Sequence, residues 1–294
     1  MATKVSLWEA DEAERSVIPK HQENEQQENE RPGSERQSAE QRHASIVQLV
    51  RQRGFVTIDV LAKHFGVTVQ TIRRDLNMLS DENRVARYRG GAGLPSSVEN
   101  FDYSARQIMN LSGKSRIARL VARRVPDHSS LFINIGTTTE AVAHELCQHQ
   151  DLRIITNNLN VASILSRNTD FQVIVTGGTV RNHDGGITGP STNDMIEQFS
   201  VDYALIGISG ISLDGMLLDY DYDEVRAAQR IIRNARHVFL AADHSKFIRR
   251  PLVRVASLAD VTTLFTDEPP PAEIRDFLAT HQVGLEVATE EDEG

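Results

Sequence analysis

Residues 136–139 read Gly-Thr-Thr-Thr and follow the apolar run SLFINI (130–135), and Asn157-Asn158 follows LRIIT (152–156). Both are small hydrogen-bonding residues placed where a β-run gives way to a helical pattern. Such loops suit an anion: helix N-termini offer free backbone N–H groups, Gly136 lets the chain come close, and threonine hydroxyls add donors. Lys246, in DHSKF (243–247), follows the β-run HVFLAAD and can bring a positive charge to the same edge. In an open α/β sheet, ligands sit beyond the carboxyl ends of strands. Caps and turns without a ligand are the plainer alternative. Several such loops at one sheet edge, with a lysine among them, favour the ligand.

A second constellation is VTVQTIRRDLNML (67–79). Val69, Ile72, Leu76 and Leu79 form one apolar face of a helix, with Thr68 able to cap its start. Gln70, Thr71, Arg73, Arg74 and Asn77 occupy the rest, residue types that contact phosphates and base edges from a helix in the major groove. Any solvated helix face can look similar, so its neighbours must decide. Asp75 is expected to orient Arg74 or a wing arginine by an ion pair. HELCQH (144–149) fails as a zinc motif, because histidines at i, i+5 stand about 140° apart on a helix. GISG (207–210) lacks the spacing of a nucleophile elbow, and Cys147 reads as a small packing residue. No catalytic residue, metal or cofactor is expected.

The elements that position these residues fall into three parts. Residues 1–40 are rich in Gln, Glu, Asn and Ser with little to bury, the composition of a disordered tail. Over 41–94, Ile46, Leu49 and Val50 mark a helix ending at Gly54. Thr57 starts a second, with Val60, Leu61 and Phe65 inward and Gly66 closing it, and the Thr68 helix follows. NRVARYRGGAG (83–93) then reads as a basic hairpin carrying Arg87 and Arg89, which completes a winged helix-turn-helix. Residues 95–106 look like a linker. From 107 to 290, helical segments alternate with β-runs that also include FQVIV (171–175), YALIGIS (203–209), VTTLFT (261–266) and GLEVA (284–288), as in a mostly parallel α/β sheet covered on both faces.

Charge is distributed to match. The chain of 294 residues carries a net charge of −9, yet residues 41–96 hold 9 basic side chains against 4 acidic ones. A basic island in an acidic chain suits a DNA-binding module beside an unrelated domain. The single cysteine and the lack of a long apolar run point to a cytoplasmic protein without a membrane span.

TIRRDL, RYRGGA, INIGTTTEAVAHEL, ITNNLNVA, TGGTVR, DGGITG, IGISGI, DYDEVR and ADHSKF together closely resemble the DeoR family of bacterial transcriptional repressors, over roughly residues 40–288. The resemblance implies operator contact by Thr68, Gln70, Thr71, Arg73, Arg74, Arg87 and Arg89. It also implies a C-terminal domain similar in fold to ribose-5-phosphate isomerase and coenzyme A transferases that senses a phosphorylated sugar. The implied effector site comprises Gly136, Thr137, Thr138, Asn157, Asn158 and Lys246, with Gly177, Gly178, Asp184, Gly185, Glu224 and Asp243 nearby. Where the family usually has Asp two residues before the G-T-T loop, this chain has Asn134, which keeps a hydrogen bond but not the charge. NNLNVA and IGISGI…DGMLLDYDYDEVR look like members that govern glycerol uptake and catabolism, implying glycerol 3-phosphate as inducer and a homo-oligomer, a tetramer by resemblance. Two alternatives remain: a repressor answering a tagatose, fructose or deoxyribose phosphate, and an isomerase-like enzyme using Asp184, Glu224 and Lys246 to move a proton. Fold alone does not carry the latter.

Overall fold

Two threonines set the geometry of the N-terminal domain. Thr57 and Thr68, both in extended conformation, accept the N–H groups of Val60 and Thr71 at 3.2 and 3.1 Å, and Gly66 (φ 63) ends the helix between them. The computed structural model describes residues 31–53, 55–82, 84–88, 90–93 and 103–289. By internal contacts the chain divides at Arg42/His43, the first unit holding only the start of α1 among the described residues. In chain order this part contains α1 (Arg31–Arg53), β1 (Phe55–Thr57), α2 (Ile58–Phe65), α3 (Val69–Asp81), β2 (Ala86–Tyr88) and β3 (Gly91–Gly93). The strands form an antiparallel sheet in the order β1-β3-β2, so the expected wing hairpin is present with an additional strand, FVT, along its edge.

Ile46, Val50, Leu61, Ile72, Leu76 and Leu79 are fully buried as one core. Val60, expected inward, is 43% exposed, and Ile58 and Ala62 take the inner face with Leu61. Because α2 begins at Ile58, the face at i, i+3, i+4 is 58, 61 and 62. Helix α1 starts at Arg31, within the stretch expected to lack order. Extending an existing helix costs far less than nucleating one, and the Glu, Gln, Arg and Ala of this stretch are good helix formers. Asp75 is buried, and His43 Nε2 lies 2.8 Å from its Oδ1, so it also joins α3 to α1, a tie not expected from the sequence.

The remainder comprises α4 (Tyr103–Ile108), α5 (Leu111–Ala122), β4 (Ser130–Ile133), α6 (Thr137–Leu146), β5 (Arg153–Thr156), α7 (Leu159–Leu165), β6 (Gln172–Val175), β7 (Thr179–Val180), β8 (Ile187–Thr188), α8 (Pro190–Ile196), β9 (Val201–Ile206), β10 (Gly210–Ile211), β11 (Met216–Asp219), α9 (Tyr222–Arg233), β12 (Ala235–Ala241), β13 (Val253–Ser257), β14 (Thr263–Thr266), α10 (Ala272–Thr280) and β15 (Gly284–Val287). Seven strands pair in parallel in the order β15-β14-β12-β9-β4-β5-β6. Along each strand, alternate residues serve opposite faces. Leu131, Ile133, Leu205 and Phe239 pack under α5 and α6, whereas Phe132, Ala204, Ile206, Val238 and Leu240 pack with α9. The chain leaves β4 towards β5 and β6, then returns to β9 on its other side, so the topological switch point lies between β4 and β9. The small β7–β8 hairpin and the antiparallel β10-β11-β13 sheet were not expected from the sequence, and residues 103–106 of the expected linker are helical. None of the described helices is long and apolar enough to cross a membrane.

Replacing His43 by Ala should destabilise the N-terminal domain by about 1–3 kcal/mol, because it strips a hydrogen bond from a buried carboxylate. Urea denaturation of His43→Ala, Asp75→Ala and the double variant checks this. The double variant should cost less than the two single ones combined.

Candidate functional site

The site is built at the switch point, from the loop that leaves β4. Asn134 is buried and its Oδ1 accepts the Ile135 N–H at 2.7 Å. Thr139 Oγ1 donates towards the Asn134 and Gly136 carbonyls at 2.8 and 2.7 Å, which fixes the turn into α6. Gly136 is the N-cap residue, and Thr137 and Thr138 open the helix, where backbone N–H groups have no intrahelical acceptor. Lys114 of α5 reaches this turn: its Nζ donates to Thr137 Oγ1 at 2.9 Å and also to the Arg106 carbonyl of α4.

Around Lys114 gather Arg106, Lys246 and Arg249, close enough to repel one another. Burial first, then the Arg249 and Arg106 charges, pushes Lys114 down to about 8 against the opposing pull of Asp243. Burial and Arg249 push Lys246 down to about 7, with Lys114 and Arg106 adding to the effect and Asp243 resisting it. Asp243 caps the short 3-10 helix His244–Phe247 by accepting the Ser245 N–H at 3.0 Å. Burial would raise its carboxyl, but Lys246, Ser245, Lys114 and Arg249 outweigh this and hold it at about 2. His244 Nδ1, 2.9 Å from Asp267, ties this loop to the end of β14. Lys246, Lys114 and Arg249 share the ionised Asp243, and Arg106 leans on Asp184 at 3.3 Å, an arrangement of crowded cations that a dianion would relieve.

Carboxylates and amides line the other side. Arg181, after β7, holds Asp184 and Glu224 at 2.7 Å each and Asp221 at 3.1 Å. Burial and the neighbouring Asp219 raise the Glu224 carboxyl, with Arg181 opposing, and burial raises Asp219 as well. A carboxyl held towards its protonated form can donate to a hydroxyl as well as accept from one. Glu140, on α6, accepts from Tyr103 Oη at 2.6 Å and from the side-chain amides of Asn158 and Asn160 at 3.0 Å. A cationic end beside a hydrogen-bonding end is the complement of a small phosphorylated polyol.

The structure thus brings Gly136, Thr137, Thr138, Asp243 and Lys246 to one cluster and joins Asp184 to Glu224 through Arg181. Asn158 is occupied in capping α7, accepting from Asn160 N at 2.9 Å. Asn157 donates its Nδ2–H to the Ile187 carbonyl at 3.2 Å, while its buried Oδ1 has no hydrogen-bond partner among the described residues. Gly177 and Gly178 meet α8: the Gly177 carbonyl accepts from Thr192 Oγ1 at 2.6 Å, and a Cβ on Gly178 (φ 138) would stand 2.2 Å from the same atom. Gly185 (φ 70) makes the turn before β8. Arg106, Lys114, Arg181 and Arg249 were missed from the sequence. Lys114 had a signal, since Lys114, Ile117, Ala118 and Val121 share helical spacing and put a lysine on an otherwise apolar stripe. In HELCQH, His149 Nε2 lies 3.1 and 3.0 Å from the Ala122 and Val125 carbonyls at the end of α5, a cap and no ligand pair with exposed His144.

On the N-terminal domain, Gln70, Arg73 and Arg74 are exposed on α3. The Thr68 and Thr71 hydroxyls lie 2.9 Å apart, so the cap engages both. Arg87, on β2, donates to Asn77 Oδ1 and so joins the wing to α3. Arg89 lies outside the described residues.

The two lysines give a signed expectation. Anion binding needs them protonated, so affinity for a phosphate monoester should already be falling above pH 7 and drop by about tenfold or more by pH 9. A phosphate monoester, with a second pKa of about 6, is dianionic over that range, so its own titration does not interfere. Calorimetry in buffers of different ionisation heat should show proton uptake on binding near pH 8. An affinity that stays flat from pH 7 to 9 contradicts this.

Residues 42–98 match the DeoR-like helix-turn-helix domain, and residues 109–268 match the DeoR C terminal sensor domain. The chain is 50% identical over 247 residues to the glycerol-3-phosphate regulon repressor of Escherichia coli, covering 84% of this chain and 98% of that protein. It is 48% identical over 229 residues to the Haemophilus influenzae protein of the same name, covering 78% and 89% of the two chains. Against the HTH-type transcriptional repressor CsqR of Escherichia coli it is 41% identical over 244 residues, 83% of this chain and 94% of the other. Among solved structures, ribose 5-phosphate isomerase A from Neisseria gonorrhoeae matches with a TM-score of 0.35 at 12% identity, over 46% of this chain and 53% of that one. With both of its domains matched, and relatives near half identity along almost their whole length, the chain belongs to the DeoR family of helix-turn-helix transcriptional regulators and is a regulator, not an enzyme.

Proposed function

We propose that this regulator represses genes for the uptake and catabolism of glycerol and glycerol 3-phosphate, and that glycerol 3-phosphate releases it from its operator. The observation that carries the reading is the cation cluster of Lys114, Arg106, Lys246 and Arg249 at the start of α6, beside the Arg181-held carboxylates. The phosphate binds at Thr137, Thr138, Lys114 and Lys246, and the two hydroxyls of the glycerol face the carboxylate and amide side. The names of the two relatives near 50% identity support this effector. Asn134 spends its Oδ1 on the adjacent backbone, so recognition here proceeds without a carboxylate at that position. Thr68, Gln70, Thr71, Arg73 and Arg74 face the operator with the wing. Operator dyads mirror protein two-folds, so the chain works as a homo-oligomer, a tetramer by family resemblance, in the cytoplasm.

Duplexes enriched from a random pool by the protein itself serve as operator in a mobility-shift titration against a panel of sugar phosphates. Glycerol 3-phosphate should release the complex at the lowest concentration; release only by a hexose or deoxyribose phosphate would replace it as effector. Arg73→Ala and Arg74→Ala should each weaken operator binding, and whichever contacts phosphate should lower the salt slope by about one. Unchanged binding in both would remove α3 from the interface. Thr137→Val should bind operator normally yet resist release.

A further inference from the structure

Helix α4 is only six residues long, yet it touches both domains with different faces. Its apolar side is Ala105, continued by Met109 one turn later, and both are buried with Phe55 of β1 while Ala86 of β2 packs against them. Phe55 in turn lies on the wing: a Cβ added to Gly91 of β3 would stand 2.4 Å from the Phe55 ring. The polar side of α4 enters the sensor pocket. Tyr103 Oη donates to Glu140 and lies 3.0 Å from Asn160 Nδ2, Gln107 Nε2 adds a bond at 2.9 Å, and the Arg106 guanidinium stacks 5.7 Å from the Tyr103 ring.

Arg106 is the loosest of these attachments. Its Nη2 is 3.3 Å from Asp184 Oδ2, an oxygen that Arg181 already holds at 2.7 Å, and its buried Nε has no hydrogen-bond partner among the described residues. The Arg106 carbonyl, by contrast, accepts from Lys114 Nζ and from Thr137 Oγ1 at 3.4 Å. The two donors that anchor the main chain of α4 are therefore the same two that stand at the start of α6. A phosphate there competes with the Arg106 carbonyl for Lys114 and Thr137, and attracts the guanidinium of the same residue.

We propose that α4 is the link between effector and operator: Arg106 joins Lys114 on the effector's phosphate, and the resulting shift of α4 is passed to the wing through Ala105 and Met109 against Phe55. This rests on the phosphate assignment made above. It adds Arg106 as a ligand residue and names the seam through which the signal leaves the sensor domain. Arg106 acts on the ligand directly, whereas Phe55 touches no ligand and only transmits; Met109 lies between the two, its Sδ 3.8 Å from Arg249 Nη2. A ligand can shift the DNA equilibrium only by its differential affinity for two states, and an α4 held by its own carbonyl or released from it supplies two such states.

The full chain is tested with three readouts: glycerol 3-phosphate affinity without DNA, operator affinity with and without saturating glycerol 3-phosphate, and hydrogen exchange of peptides covering 103–109. In the wild type, the effector should weaken operator binding by about 5–150-fold, the usual range of allosteric coupling, and speed exchange over 103–109. Phe55→Leu should keep effector affinity within about threefold while the operator ratio collapses towards one; Met109→Ala should lower the ratio as well, its effector affinity being read separately because Met109 also contacts Arg249. Arg106→Gln should weaken effector binding by about tenfold or more. Wild-type operator ratios in both seam variants, or release without any change of exchange in 103–109, would overturn the proposal. Inorganic phosphate serves as a second probe. If glycerol 3-phosphate does not bind but phosphate still speeds exchange in 103–109, the effector assignment fails and the α4 link stands; if neither changes exchange there, the link fails.

Discussion

Positive charge held inside protein is the constraint around which the sensor domain is arranged. Lys114, Lys246, Arg106 and Arg249 come from α5, the loop after β12, α4 and the stretch before β13, and they meet beside the ionised Asp243. Burying cations together is costly unless counter-charge is present, and the lowered lysines register that cost. The parallel sheet makes the meeting possible: its order switches between β4 and β9, so the loops after both strands open at one edge. Thr139 holds the loop after β4 and the Asp243 cap holds the loop after β12, so the loop backbones at this edge are preorganised.

The N-terminal domain solves a different problem, that of holding a polar helix face outward on a small core. Three fully buried residues of α3 (Ile72, Leu76 and Leu79) anchor it apolarly, and Asp75 with His43 adds a polar tie to α1. Arg87 to Asn77 then sets the wing against the same helix. Helix and wing are thus tied to each other, and Phe55 of β1 belongs to the same sheet as the wing. The proposed α4 link acts on this unit through Ala105 and Met109 packed with Phe55.

Much of this was legible in the sequence because local spacing dictates it. Thr57, Gly66 and Thr68 announce helix ends by chemistry, and the seven long β-runs stand out by their apolar content. The Gly136-Thr137-Thr138 loop was visible because small donors between a strand and a helix have few other uses. What escaped reading depends on distance along the chain. Arg106 looks like an ordinary surface arginine until the fold sets it beside Asp184, 78 residues away, and so does Arg181 until it meets Glu224, 43 residues away. Asp75 was expected to orient Arg74 or a wing arginine, and its tie to His43, 32 residues upstream, went unread. Helix α4 has no room for periodicity in six residues, and β7 and β8 are two residues each. Asn157 and Asn158 do follow β5, and Asn158 serves as the cap of α7.

Effector and operator are linked through one protein, so each must alter the affinity for the other by the same factor. The most direct measurement is therefore the affinity for glycerol 3-phosphate, determined by calorimetry on the free protein and again on its complex with operator. The account predicts weaker effector binding in the complex, by the same factor through which the effector weakens operator binding. Equal affinities in the two states would contradict it, because a ligand indifferent to DNA cannot release it.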